Sequence, residues 1–272
     1  VLSEILEHRP GQPELSFLAG AAFYTMEDYE SALRYFKALE PEDDHYGEAA
    51  VYQAIILRKQ DKLGQAVGFL ESAMEKADES QRLELIPYLS AFYQEEGGFR
   101  KAEGLLTEGL SREPENAELH YEMGVLYDKM GDTEAAIDKM LFVIEMDPEN
   151  ADALNYLGYT YADQDIRLQE AEALIRQALE LDPDNGYFLD SMGWVYYRKG
   201  DYEKARQYIE RAVDRVSDDP VILEHMGDVY SRLGDMQKAL RYYRRARENA
   251  DEDARQGLAE KIESVDNPGG EH

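Results

Sequence analysis

A small residue returns every 34 to 36 positions along this chain, and each return sits in the same two-helix pattern. The stretch from Asn185 to Val213 shows the unit most clearly. A first helix is expected from about Gly186 to Lys199, with Leu189, Met192, Gly193 and Tyr196 at helical spacing. Gly200 and Asp201 break it, and a second helix is expected from about Tyr202 to Arg215, with Ala205, Ile209 and Ala212 on one face. Gly193 and Ala205 are small where the two axes would cross, and small side chains let backbones approach. A single hairpin of this size cannot bury its own apolar face, so it needs neighbours of the same kind.

The neighbours are present. Gly20, Ala54, Ser90, Gly124, Gly158, Gly193 and Gly227 align, at spacings of 34, 36, 34, 34, 35 and 34. Ala32, Ala66, Ala102, Ala136, Ala171, Ala205 and Ala239 recur where the second helix starts, and Pro114, Pro148, Pro183 and Pro220 close units. Leu157, Gly158 and Tyr161, then Met192, Gly193 and Tyr196, then Met226, Gly227 and Tyr230 repeat one motif. The pattern resembles the tetratricopeptide repeat, L-G-x-x-Y, then A-x-x-x-F, then Pro. The resemblance implies an all-α fold, a right-handed superhelical solenoid of helix-turn-helix repeats. It also implies a concave face lined by first helices and a role in binding other proteins.

Seven units are expected over residues 11–250, a polar capping helix over 251–265 and a tail over 266–272. Leu258 and Ile262 are the cap residues expected to pack on the last repeat. Residues 1–10 read as the end of a repeat whose first helix lies upstream, with Leu2, Ile5 and Leu6 buried on repeat one. On this reading the chain is part of a longer protein. Two features predict irregularity. Pro87 falls inside the first helix of repeat three, which is expected to start late, near Leu83, or to kink. The turn from Asp163 to Arg167 is one residue longer than its equivalents.

Composition narrows the function. The formal net charge is −29, which argues against a nucleic-acid partner, since phosphate binding needs clustered Lys and Arg. Cysteine is absent, which removes disulfides, thiolate catalysis and cysteine metal sites. No run of about 18 apolar residues marks a membrane span. The five histidines form neither H-E-x-x-H nor a close pair with a carboxylate in the sequence, and no phosphate-binding glycine loop appears. A non-catalytic protein without metal or cofactor is expected, so function must lie in a surface.

The inner stripe of each first helix is expected at i, i+3, i+7 and i+10. It gives Phe17 in repeat one, Glu48, Val51 and Ile55 in repeat two, Glu84 and Pro87 in repeat three, and Glu118 and Tyr121 in repeat four. Repeats five to seven give Asp152, Asn155 and Tyr159; Tyr187, Asp190, Trp194 and Tyr197; and Glu224 and Asp228. The first stripe position is acidic in five consecutive repeats: Glu14, Glu48, Glu84, Glu118 and Asp152. Compensation of the helix dipole explains acids in a first turn; a basic partner on the N-terminal half is the sharper alternative.

The aromatics point to a binding patch. Tyr121, Asp152, Asn155, Tyr159, Tyr187, Asp190, Trp194, Tyr197 and Asp228 are the expected partner-binding residues, with Trp194 as anchor and the aspartates as rim. Tetratricopeptide domains that grip a terminal carboxylate use Lys, Arg and Asn on these helices; here the stripes carry acids, aromatics and aliphatics. An apolar or basic extended segment fits better.

The stretch from Asn155 onward, with its lengthened turn, also looks like the C-terminal repeats of bacterial periplasmic tetratricopeptide lipoproteins. Some of these act as adaptors of carboxyl-terminal processing proteases. That resemblance implies a periplasmic scaffold, anchored at the outer membrane, that holds a protease or its substrate. The alternatives are a cytoplasmic location, a self-assembling homo-oligomer, and a regulatory domain of a larger enzyme.

Overall fold

Helix starts in this chain are fixed by side chains that accept backbone N–H groups. Asp28, Asp78, Asn116, Asn150, Asn185, Asp201, Asp219 and Asp235 each cap a helix in this way, satisfying donors that the first turn leaves unpaired. The computed structural model describes residues 12–266, and among these it holds fifteen α-helices and no strand.

The chain forms two units, one up to Lys139 and one from Met140. The first holds α1 (Pro13–Thr25), α2 (Tyr29–Phe36), α3 (Tyr46–Lys59), α4 (Leu63–Lys76), α5 (Glu79–Glu95), α6 (Phe99–Arg112) and α7 (Ala117–Lys129). Helix α8 (Thr133–Met146) crosses the boundary. The second holds α9 (Ala151–Asp163), α10 (Leu168–Leu181), α11 (Gly186–Arg198), α12 (Tyr202–Arg215), α13 (Pro220–Arg232), α14 (Met236–Asn249) and α15 (Glu252–Asp266). Within each unit successive helices pair as hairpins, and first helices also stand against first helices: α3 on α5, α5 on α7, α9 on α11 and α11 on α13.

The small residues sit at the crossings. Ala32, Ala66, Ala102, Ala171, Ala205 and Ala239 are fully buried. A Cβ on Gly158 would stand 2.5 Å from Ile175 and 3.0 Å from the Ala171 carbonyl, so α9 meets α10 through a hydrogen atom. Around these crossings Leu70, Leu85, Ile86 and Leu106 fill the first unit, and Leu189, Ile209, Leu223 and Met226 the second.

Helix α5 departs from expectation. It begins at Glu79, four residues before Leu83, and runs through Pro87 to Glu95. The reason is a capping box: Asp78 accepts from the Gln81 N–H, and the Gln81 side chain accepts from the Asp78 N–H. Gln81 also donates to the carbonyls of Pro41 and Asp43, which pins the start to the preceding loop. Gly97, Gly131, Gly200 and Gly234 take a left-handed conformation in their turns, as do Glu27 (φ 60°) and Asp61 (φ 58°); the longer turn has two such residues, Asp165 (φ 58°) and Arg167 (φ 47°).

Helix α15 buries Leu258 and Ile262 against the end of the second unit. The helix expected over residues 1–8, with Leu2, Ile5 and Leu6, and the tail over 267–272 lie outside the described residues.

Candidate functional site

The helices that carry the expected aromatic patch are α9, α11 and α13, which stand side by side in the second unit. Trp194 on α11 lies flat between two rings. Tyr197 stacks on it at 4.7 Å between centroids, and His225 of α13 at 4.1 Å. Tyr159 of α9 approaches His225 at 6.3 Å. The indole N–H donates to Asp163 at 3.3 Å, and Arg198 lies over the ring. Trp194 is therefore only 8% exposed. The residue expected as a binding anchor is thus covered by the Tyr197 ring of its own helix and the His225 ring of the next repeat.

Asp190 of the expected rim is covered as well. Asp190 is 5% exposed, and its Oδ2 accepts from His225 Nδ1 at 2.8 Å. This is a close histidine–carboxylate pair that the sequence reading missed, because its members lie 35 residues apart, in consecutive repeats. Burial on its own lowers the His225 pKa; the charge and hydrogen bond of Asp190 outweigh it, with Asp228 and Glu224 adding, and hold it above the ordinary imidazole value. The pair ties α11 to α13, and Trp194 stacks on the imidazole.

Asp228 belongs to a lock at the end of the unit. Lys261 of α15 donates to both its oxygens, at 2.8 and 2.7 Å, and to Glu224 at 2.7 Å, while Tyr243 donates to Asp228 at 2.8 Å. The ammonium lies 5.7 Å from the Tyr243 ring centroid. Burial alone would lower the Lys261 pKa, yet the hydrogen bonds and charges of Asp228 and Glu224 raise it. Asp228 is spoken for within the chain.

The other predicted residues are placed separately. Tyr187 is 55% exposed in the first turn of α11, Asp152 is exposed in the first turn of α9, and Asn155 is half-buried with its Oδ1 lacking a hydrogen-bond partner. Tyr121 is half-buried on α7 of the first unit.

An open groove lies in that first unit. A groove of about 410 Å³ is lined by Phe17, Glu48, Val51, Tyr52, Ile55, Glu84, Tyr88 and Glu118, drawn from the four first helices α1, α3, α5 and α7. Six of the eight are stripe residues. Tyr52 and Tyr88 each lie one residue beyond the second stripe position, and Pro87, which occupies that position in α5, is buried. The tyrosine following each of those positions, Val51-Tyr52 and Pro87-Tyr88, was the available signal.

Among the described residues no Lys or Arg pairs with the acids that line this groove, Glu48, Glu84 and Glu118. His45 lies 3.3 Å from Glu48. Burial, then the charges of Glu48 and Asp78, raise the Glu84 pKa. Burial and Glu118 do the same for Glu122. Among the described residues no three His, Asp or Glu converge to hold a metal ion, and no helix is long and apolar enough to cross a membrane.

Comparison with known proteins adds the following. Two tetratricopeptide repeat models match, one over residues 121–259 and one over 93–141. The TPR repeat-containing protein PA4667 of Pseudomonas aeruginosa is 36% identical over 196 residues, which is 71% of this chain and 32% of that protein. Tetratricopeptide repeat protein 37 of Xenopus laevis is 33% identical over 93 residues, 6% of its length. The chain thus spans a third or less of the relatives it matches. A tetratricopeptide repeat protein from Parabacteroides merdae superposes with a TM-score of 0.69 at 18% identity, over 94% of this chain and 99% of that one. The Cut9–Hcn1 complex of the APC/C gives 0.76 at 13% identity, over 97% of this chain and 51% of that one.

Proposed function

The chain belongs to the tetratricopeptide repeat family, and from that premise we propose that it is a non-catalytic scaffold whose first unit holds a segment of a partner protein. Proteins of this family generally mediate protein–protein interactions. The observation that carries the proposal is the groove from Phe17 to Glu118. It is built from four consecutive first helices, has aromatic and aliphatic walls, and leaves Tyr88 40% exposed. Pockets of this kind take aromatic or aliphatic anchors from a partner.

A photo-crosslinking phenylalanine analogue in place of Tyr88 tests it in cells of the native organism. Peptides of one partner are expected to cross-link from position 88 and not from position 107, an exposed site on a second helix. Equal labelling from both positions, or none from 88, overturns the groove.

The reading extends to the compartment. We infer a periplasmic adaptor that presents a carboxyl-terminal processing protease or its substrate. The support is the lengthened turn from Asp163 to Arg167 and the bacterial origin of the Pseudomonas relative. Cell fractionation checks it: a wholly cytoplasmic protein removes the adaptor role.

A further inference from the structure

We propose that the groove of the first unit selects a segment of a partner protein bearing lysine or arginine, seating its cations between the carboxylates of neighbouring repeats and against Tyr88. The inference rests on the groove reading above and adds the chemistry of what fills it.

The chain itself displays a seat of the same chemistry, with both carboxylates on one helix. At the end of the second unit Lys261 reaches back from α15 onto α13, where Glu224 and Asp228 occupy inner-stripe positions. Its ammonium is held by both carboxylates and stands beside a tyrosine ring. The first unit offers carboxylates and tyrosines from successive helices, with His45 beside Glu48 and no Lys or Arg paired to them among the described residues. Glu48, Glu84 and Glu118 occupy one stripe position in three successive repeats, and they flank Tyr88 and Tyr52. Tyr52 is already packed, stacked on Phe36 at 5.0 Å and edge-on to Tyr24. Tyr88 has no ring partner among the described residues, which leaves its face for a cation.

Electrostatics favours the same occupant. Burial and then the Glu48 charge make ionised Glu84 costly, and burial and then Glu118 do this to Glu122. A bound ammonium or guanidinium relieves that repulsion, and a segment bearing acids adds to it. Dipole compensation explains why an acid suits the first turn of each helix. It does not explain why three of them face one groove with no basic side chain among its lining residues.

The test uses the whole chain and three fluorescein-labelled extended peptides: alternating Lys and Leu, alternating Gln and Leu, and alternating Glu and Leu. Binding is read by fluorescence anisotropy. The lysine peptide is expected to bind most tightly and to weaken as salt rises from about 0.05 to about 0.5 M. Neutralising the ladder with Glu48→Gln, Glu84→Gln and Glu118→Gln together is expected to weaken it by about tenfold or more. Circular dichroism should stay the same and the denaturant midpoint should not fall, because like-charge repulsion is removed.

The control triple Glu113→Gln, Glu115→Gln and Glu149→Gln, at exposed loop positions, is expected to change affinity little. Equal loss in both triples would mean attraction to the overall charge of −29 and would overturn the proposal. If the glutamine peptide binds as well as the lysine peptide and is lost in Tyr88→Ala, the groove stands and its basic selectivity fails. If no peptide binds, both readings fail. Sedimentation that shows a dimer broken by the ladder triple would give the groove to a second copy of this chain and overturn the assignment to another protein.

Discussion

A hydrogen atom at position 158 decides how closely α9 and α10 approach. A side chain there meets Ile175, which could turn, and the Ala171 carbonyl, which is backbone and cannot move without shifting α10. Gly158→Leu is therefore expected to overpack the crossing and to cost about 1–3 kcal/mol or more; an unchanged urea midpoint would contradict the geometry. His225 sets a second expectation. Its folded-state pKa is held up by Asp190, with Asp228 and Glu224 also facing it. A raised histidine pKa contributes stability that is whole below the unfolded value of about 6.5 and is lost as pH rises through the folded value. Wild type should therefore lose stability relative to His225→Gln as pH is raised above about 6.5. Parallel pH profiles for the two proteins would show that the pair does not titrate in this way.

At the scale of the element, the repeat period made helix pairs legible, because one small residue per helix must meet another at each crossing. Helix α12 runs over the residues expected from spacing, and α11 stops one residue short of its expected end. Helix α5 was less legible. Its proline is a strong local signal, but Asp78 and Gln81 satisfy the first turn from both sides, and long-range bonds from Gln81 hold it. The candidate site was legible in part. The acid ladder and the apolar stripe could be read from period, whereas the closure of Trp194 could not. That depends on His225 arriving from the next repeat, and no single-helix pattern contains it.

Helix α15 carries a prediction of its own. Lys261 is the cation shared by Glu224 and Asp228, so Lys261→Met leaves two neighbouring carboxylates and the Tyr243 hydroxyl with fewer partners. Opening of α15 is expected to become easier by about 1–3 kcal/mol. Hydrogen exchange should quicken in α15 and the last turns of α14 and leave α9 unchanged. Uniform quickening throughout the second unit would mean that the lock holds more than its own end.

Within each unit the hairpins pack on their sequence neighbours, so stability there is spread along the chain in local terms. The two units differ in electrostatics. The first stacks Glu48, Glu84 and Glu118 with His45 beside Glu48 and no Lys or Arg paired to them among the described residues, and the second answers its inner acids with His225 and Lys261. At low salt the first unit is expected to yield at lower denaturant, and the difference should shrink as salt screens the ladder.

The sandwich of Trp194 makes that difference visible. The chain has one tryptophan, in the second unit, with an imidazole 4.1 Å from its ring. A protonated imidazole in van der Waals contact quenches indole fluorescence. Its emission should thus brighten as His225 loses its proton, and should change again when α11 and α13 separate, while remaining blind to the first unit. Helicity lost before the emission moves would time the two halves against each other with no label attached to the protein.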